Sequence, residues 1–242
     1  MLPGIYDMFQ HWGEQTVWIY SDPHFGDKDL DKGICGRPST EEQIASINAC
    51  AGRKDTLIIL GDVGDIEAVR KLRAGRKVLI MGNHDAGATN YKRERIRKVY
   101  DSNRFIKEEV LEMVRKDYPG WNIEIHLGLP GWRVFANNNL FDEVYEGALI
   151  IGEKLILSHE PVDIPWAFNI HGHDHAGAYR ANHLNVCSDV VGYKPVNFNQ
   201  FLKSGAMSKI QTIHRETIDK ATERKKKRNK KIIKGDKYGL PK

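Results

Sequence analysis

Residues 78–85 read Val78-Leu79-Ile80-Met81-Gly82-Asn83-His84-Asp85. Four apolar residues without a polar break suit a strand buried on both faces, and the glycine after them marks where it stops. An amide, an imidazole and a carboxylate follow, the groups that ligate metals or move protons. The same pattern stands on both sides. Upstream, Val17-Trp18-Ile19-Tyr20 leads into Ser21-Asp22-Pro23-His24, and Leu57-Ile58-Ile59-Leu60 into Gly61-Asp62. Downstream, residues 148–151 and 154–157 read as a hairpin around Gly152-Glu153 that ends at Ser158-His159. Phe168-Asn169-Ile170 then leads into His171-Gly172-His173-Asp174-His175, and residues 184–187 are a further strand candidate.

Helical patterns lie between these runs. Ser39 with Glu42 forms a capping box ahead of Ile44 and Ile47, Asp65 is placed to cap a helix over 66–72, and Ile106, Val110, Leu111 and Val114 share one helical stripe. Strand–helix alternation in the first half and a strand-rich second half predict an α/β fold. Residues 86–133 are the least patterned segment, rich in Arg and Lys near Tyr91 and holding Pro119-Gly120-Trp121 and Pro130-Gly131-Trp132. A plain helical insertion is the expectation there, ahead of a lid or a partner surface.

The 242 residues are 40% hydrophobic and 29% charged, enough to bury a core and to exclude disorder as the main state. Apolar runs of about four residues fall far short of the roughly twenty that a bilayer requires. The N-terminus lacks the basic lead and apolar stretch of a secretion signal, and Cys35, Cys50 and Cys187 are odd in number and widely spaced. The expectation is a cytoplasmic protein with neither a disulfide framework nor a membrane partner.

Charge divides the chain. The net +5 arises from residues 219–242, which carry eleven Lys or Arg against three Asp or Glu, whereas residues 1–218 are mildly acidic. A block such as Arg224-Lys225-Lys226-Lys227-Arg228 suits a polyanion, nucleic acid among them, and suits a solvated terminal segment equally. The domain expectation is a catalytic unit over 1–216 and a basic tail over 217–242.

In an open α/β sheet, ligands collect beyond the carboxyl ends of strands. Five strand ends here deliver Asp22 and His24, Asp62, Asn83 and His84, His159, then His173 and His175. Mixed oxygen and nitrogen donors point to a pair of transition-metal ions. Residues separated by one position in extended chain project to the same side, so Asp22/His24 and His173/His175 are candidate pairs. Parity admits His171/His173 as well.

These ordered blocks, Asp22-Pro23-His24, Gly61-Asp62-Val63-Gly64-Asp65, Gly82-Asn83-His84-Asp85, His159 and Gly172-His173-Asp174-His175, resemble the calcineurin-like metallophosphoesterase superfamily. The likeness runs from about residue 20 to 198. With His24-Phe25-Gly26, Arg37-Pro38 and Gly192-Tyr193-Lys194-Pro195-Val196, it is nearest to small bacterial and phage phosphoesterases. The resemblance implies a four-layer sandwich of two mixed sheets flanked by helices. It implies one metal on Asp22, His24 and His175, a second on Asn83, His159 and His173, and Asp62 bridging them, with His171 left outside. It implies manganese first, with iron, zinc or nickel as alternatives, and His84 as the catalytic histidine beside the scissile phosphate. Asp65 matches the acidic residue that orients that histidine in the protein-phosphatase branch. Ile66 stands where that branch has a phosphate-gripping Arg, which disfavours a phosphoprotein substrate, and Arg37 is the candidate substrate-binding cation instead.

The expected function is hydrolysis of phosphate mono- or diesters by water activated between two cations. A nuclease or RNA-processing phosphodiesterase using the basic tail is the second expectation, and an inactive scaffold of the same fold the third.

Overall fold

The computed structural model describes residues 16–151, 154–177, 182–210 and 213–233. In chain order it contains β1 (Val17–Tyr20), α1 (Lys28–Gly33), α2 (Thr40–Cys50), β2 (Thr56–Leu60), α3 (Ile66–Arg70) and β3 (Arg76–Ile80). There follow β4 (Arg95–Asp101), α4 (Lys107–Asp117), β5 (Asn122–Gly128), β6 (Gly131–Asn137), β7 (Glu143–Tyr145), β8 (Leu149–Ile151) and β9 (Leu155–Leu157). Last come β10 (Phe168–His171), β11 (His183–Asn185), β12 (Val196–Asn197), α5 (Phe198–Lys203) and α6 (Ile213–Ile233).

Two mixed sheets face each other. The first has the order β12-β1-β2-β3-β7, parallel except for β12, and the second β11-β10-β9-β8, parallel except for the β8/β9 pair. Strand alternation sorts the side chains of the first sheet into two cores. Val17, Ile19, Ile58, Leu60, Val78 and Ile80 meet Leu155, Leu157, Phe168 and Ile170 of the second sheet. Tyr20, Leu57, Ile59 and Leu79 point the other way, onto Ile44 and Ile47 of α2 and Ala68 and Val69 of α3. Both faces of β2 are therefore buried, which is why it reads as an unbroken apolar run. The expected capping box is present: Ser39 accepts from the Glu42 amide while Glu42 accepts from the Ser39 amide. The tip of the β8/β9 hairpin, Gly152-Glu153, lies outside the described residues.

Residues 86–133 depart from the expected helical insertion. With residues 134–137 they form a separate antiparallel sheet, β4-β6-β5, whose inner face packs Val134, Trp132, Ile123 and Ile125 against Val110 and Val114 of α4. Charge at alternate, outward positions of β4 hides its strand character when the composition is read as a whole. This subdomain is tied to the main sheet through Asn139, whose Oδ1 accepts from the buried Lys77 Nζ at 2.9 Å and whose amide nitrogen donates to Arg70 O. The basic segment is also ordered: α6 carries Lys220 and residues 224–228 as exposed side chains. Among the described residues, no helix is long and apolar enough to cross a membrane.

Candidate metal centre

The carboxyl ends of β1, β2, β3, β9 and β10 converge on one spot, and the backbone there is strained. Asp22, His24, Asp62 and His173 all take positive φ, between 42° and 64°, a region costing an L-residue about 1 kcal/mol or more each. Non-glycine residues keep such angles only where the surroundings enforce them, and such residues gather at functional sites. Two glycines allow the crowding: a Cβ on Gly82 would collide with the Asp62 carboxylate, and one on Gly172 with Ser21 and Asp22.

The donor atoms form two groups that share a carboxylate. His159 Nε2 lies 2.8 Å from Asn83 Oδ1, 3.1 Å from His173 Nδ1 and 3.3 Å from Asp62 Oδ2. His159 Nδ1 donates to Leu60 O at 2.9 Å, so in the neutral ring Nε2 presents its lone pair inward. On the other side His24 Nε2 lies 3.6 Å from the same Asp62 Oδ2, and His175 Nε2 lies 4.0 Å from Asp22 Oδ1. Asp22 is fully buried, and its Oδ1 has no hydrogen-bond partner. Its Oδ2 accepts from the His173 amide at 2.8 Å, and Asp62 Oδ1 accepts from the His84 amide at 2.9 Å.

Lone-pair atoms packed this closely, one of them buried and unsatisfied, repel one another unless positive charge sits among them. The donor set therefore fits divalent cations. Three sets of ligand atoms each lie within 4.8 Å of one another: Asp62, His159 and His173; Asp22, His24 and Asp62; and Asp22, His175 and Cys187. The same field acts on the protons. Burial depresses the pKa of His159, but the hydrogen bond to Asp62 and the nearby Asp22 and Leu60 carbonyl outweigh it and push it up to about 9. Burial pulls Asp62 up, yet the His159 hydrogen bond and the His84 amide hold it below the usual carboxylate range. Burial lowers His24, against the pull of Asp62 and Asp22.

His84 occupies the exposed rim, its ring centroid 5.7 Å from that of His24. His171 does not enter the cluster; its buried ring packs on His183 at 5.2 Å. Two expected site residues make their contacts outside the cluster of donor atoms. The Arg37 side chain, expected as the substrate-binding cation, is fully buried, donating to Asp189 at 2.5 Å, to Pro23 O at 2.7 Å and to Asp22 O at 3.3 Å. Asp65 caps α3 by accepting from the Glu67 amide and makes no ion pair with His84 among the described residues.

Three residues that the sequence reading passed over belong to this region. Asp189 accepts from His175 Nδ1 at 2.6 Å, from Tyr193 at 2.5 Å and from Arg37, fixing the His175 tautomer with Nε2 inward. That hydrogen bond raises His175; despite burial, the His175, Tyr193 and Arg37 contacts hold Asp189 well below the usual carboxylate range. Asp85 is buried and accepts from the amides of Asp62, Val63 and Gly82, joining the ends of β2 and β3. Cys187 is buried with its Sγ 3.5 Å from His175 Nδ1, and burial pushes its thiol pKa up. Only Asp85, inside the Gly82-Asn83-His84-Asp85 block, carried a local signal.

Comparison with known proteins identifies the family. The family model for calcineurin-like phosphoesterases matches residues 15–194, about three-quarters of the chain, and the chain belongs to that family. A mixed α/β fold with several sheets flanked by helices is consistent with the metallophosphoesterase architecture. The family implies metal-dependent hydrolysis of phosphoesters. No curated protein matches the chain. Among solved structures, a protein of unknown function from Aquifex aeolicus is similar over 78% of this chain and 99% of its own, at 20% identity and a TM-score of 0.48.

Proposed function

We propose that this protein hydrolyses phosphate mono- or diesters with two divalent transition-metal ions, manganese being the first choice. One ion is assigned to Asp22, His24 and His175, the other to Asn83, His159 and His173, with Asp62 shared. The observation that supports this most is the position of Asp62 Oδ2, 3.6 Å from His24 Nε2 and 3.3 Å from His159 Nε2, a single oxygen facing both groups. When bound, the ions would supply the positive charge that holds the non-bridging phosphate oxygens and acidifies water at neutral pH.

The chain's own groups do the rest. Leu60 O and Asp189 hold the outer nitrogens of His159 and His175, so each ring offers its other nitrogen inward without reorganising. Arg37 joins His175 and Tyr193 in holding Asp189 ionised and braces the Asp22-Pro23 backbone, which makes it a positioning residue. His84 stands on the open side, where an imidazole can stabilise charge on the phosphoryl group or protonate the departing oxygen. Asn83, His84 and His173 are exposed, so an ester approaches from that side.

The test is a screen of metal-reconstituted protein against aryl mono- and diesters, cyclic phosphates and single-stranded RNA, with metal content measured in parallel. Hydrolysis with bound metal is expected; protein that holds no metal and cleaves nothing would leave the inactive-scaffold reading standing. A nuclease is the second reading, favoured by the exposed basic residues of α6. Deleting the chain after residue 216 should then cost polynucleotide affinity with a steep salt dependence while small-ester hydrolysis persists.

A further inference from the structure

We propose that the outer face of the inserted sheet and the cleft beside it form a binding surface for single-stranded nucleic acid. The cleft, of about 590 Å³, is lined by Arg53, Arg70, Lys71, Arg73 and Arg93, with one carboxylate, Glu124, and asparagines such as Asn122 and Asn137 between them. It lies at the amino ends of β2 and β3, and the metal centre at their carboxyl ends, on the order of 15–20 Å away for five-residue strands. Asn122 and Asn137 also begin the outward rows of the β4-β6-β5 sheet, so cleft and sheet face are continuous.

Register fixes what that face presents. Arg95, Asn137 and Asn122 form one row, Arg97, Phe135 and Glu124 the next, and Val99, Arg133 and His126 the third. Phe135 is 38% exposed, with the Arg97 guanidinium 5.7 Å from its ring centre and the His126 ring 6.2 Å away. Carboxylates answer some of the cations: Glu67 meets Arg70, Glu41 meets Lys71, and Asp142 meets Arg93 and Arg95. Arg53, Arg73, Arg97 and Arg133 have no carboxylate within ion-pair distance among the described residues. An acid, Glu124, sits on the face and pairs with His126 at 3.7 Å.

This arrangement selects its ligand by chemistry. Unanswered guanidiniums attract phosphates, and an exposed ring flanked by Arg and His takes the face of an unstacked base. Successive outward rows are about 7 Å apart along a strand, so cations in different rows meet different phosphates of a chain and not one small anion. A duplex keeps its bases stacked and gains nothing from Phe135. The binding surface does not depend on the hydrolase reading.

The test is fluorescence anisotropy of the full chain with labelled oligothymidylate and oligouridylate, in chelator so that nothing is cleaved, across about 50–200 mM salt. Phe135→Leu keeps apolar volume but removes the ring, and is expected to weaken binding about fivefold or more. Arg97→Gln and Arg133→Gln are each expected to lower the salt slope by about one. All three variants should hydrolyse a small aryl ester as the parent does. The proposal is overturned if the parent binds no strand in that range, if a duplex binds as tightly, or if the variants bind unchanged, which would move any affinity to α6. Strand binding that follows these expectations in a protein without esterase activity would defeat the hydrolase reading alone.

Discussion

The end of the sandwich that gathers the candidate metal ligands and the inserted β4-β6-β5 sheet solve opposite problems. At the first, parallel strands end in loops whose left-handed residues press acceptor atoms together; Asp22, Asp62 and His159 are almost wholly buried. At the second, an antiparallel sheet turns one face to α4 and leaves cations and a ring in water. Strained backbone and a buried, unpartnered Asp22 Oδ1 raise the cost of the first region to the fold, whereas an exposed basic face keeps its solvation and costs the fold little. Substitutions at the first region should therefore be felt strongly, and those at the second should spare both fold and small-ester turnover.

The largest effect is expected for Asp62→Ala, which removes the oxygen facing both donor groups. Metal content and turnover should fall together, the latter by about 10³-fold or more, in metal analysis alongside an aryl phosphodiester assay. A variant that kept both would erase the contrast. His84→Ala should retain metal and lose roughly 10²- to 10⁴-fold in kcat, because the rim histidine acts on substrate and not on ligand geometry. Arg37→Ala should cost about 1–3 kcal/mol in denaturant unfolding, since it removes the donor to the Asp22 and Pro23 carbonyls and leaves Asp189 to His175 and Tyr193. A rise in KM with unchanged stability would instead make Arg37 the substrate grip first expected. Asp189→Asn should weaken metal affinity about 10- to 100-fold in competition with a chelator, because His175 loses the partner that fixes its tautomer.

The pH dependence is subtler. His159 is raised above its unfolded value of 6.5 to about 9 without metal, so its contribution to the stability of metal-free protein is complete below 6.5 and lost as pH rises through 9. Metal binding needs the neutral ring, so metal affinity should climb over that window while metal-free Tm declines. Calorimetry in buffers of different ionisation enthalpy should register a proton released on binding at neutral pH; zero release would contradict the assignment.

Much of this was legible in the sequence because local pattern and tertiary role coincide. The unbroken apolar runs of β1, β2 and β3 are buried on both faces, and Asp22, His24, Asp62, Asn83 and His159 follow such runs directly. Of the stripe Ile106, Val110, Leu111 and Val114, Val110 and Val114 are the buried side of α4, Leu111 is half-buried, and Ile106 is an exposed residue at the helix N-cap. What escaped notice depends on contacts distant in sequence. Asp189 reaches Arg37 across 152 positions, and nothing near it distinguishes it from a surface acid. In the sequence Arg37 reads as a substrate-binding cation, and only the fold reveals the carbonyls and carboxylate around it. The short strands β7 and β12 carry too few residues for a period, and β4 alternates charge with half-buried residues, including Lys98.

The most direct measurement is anomalous diffraction from crystals soaked in manganese. Two peaks about 3.5–4 Å apart, one on each side of the Asp62 carboxylate, are predicted. No peak at that carboxylate, with His24 and His159 turned away from each other, would contradict the shared-carboxylate centre.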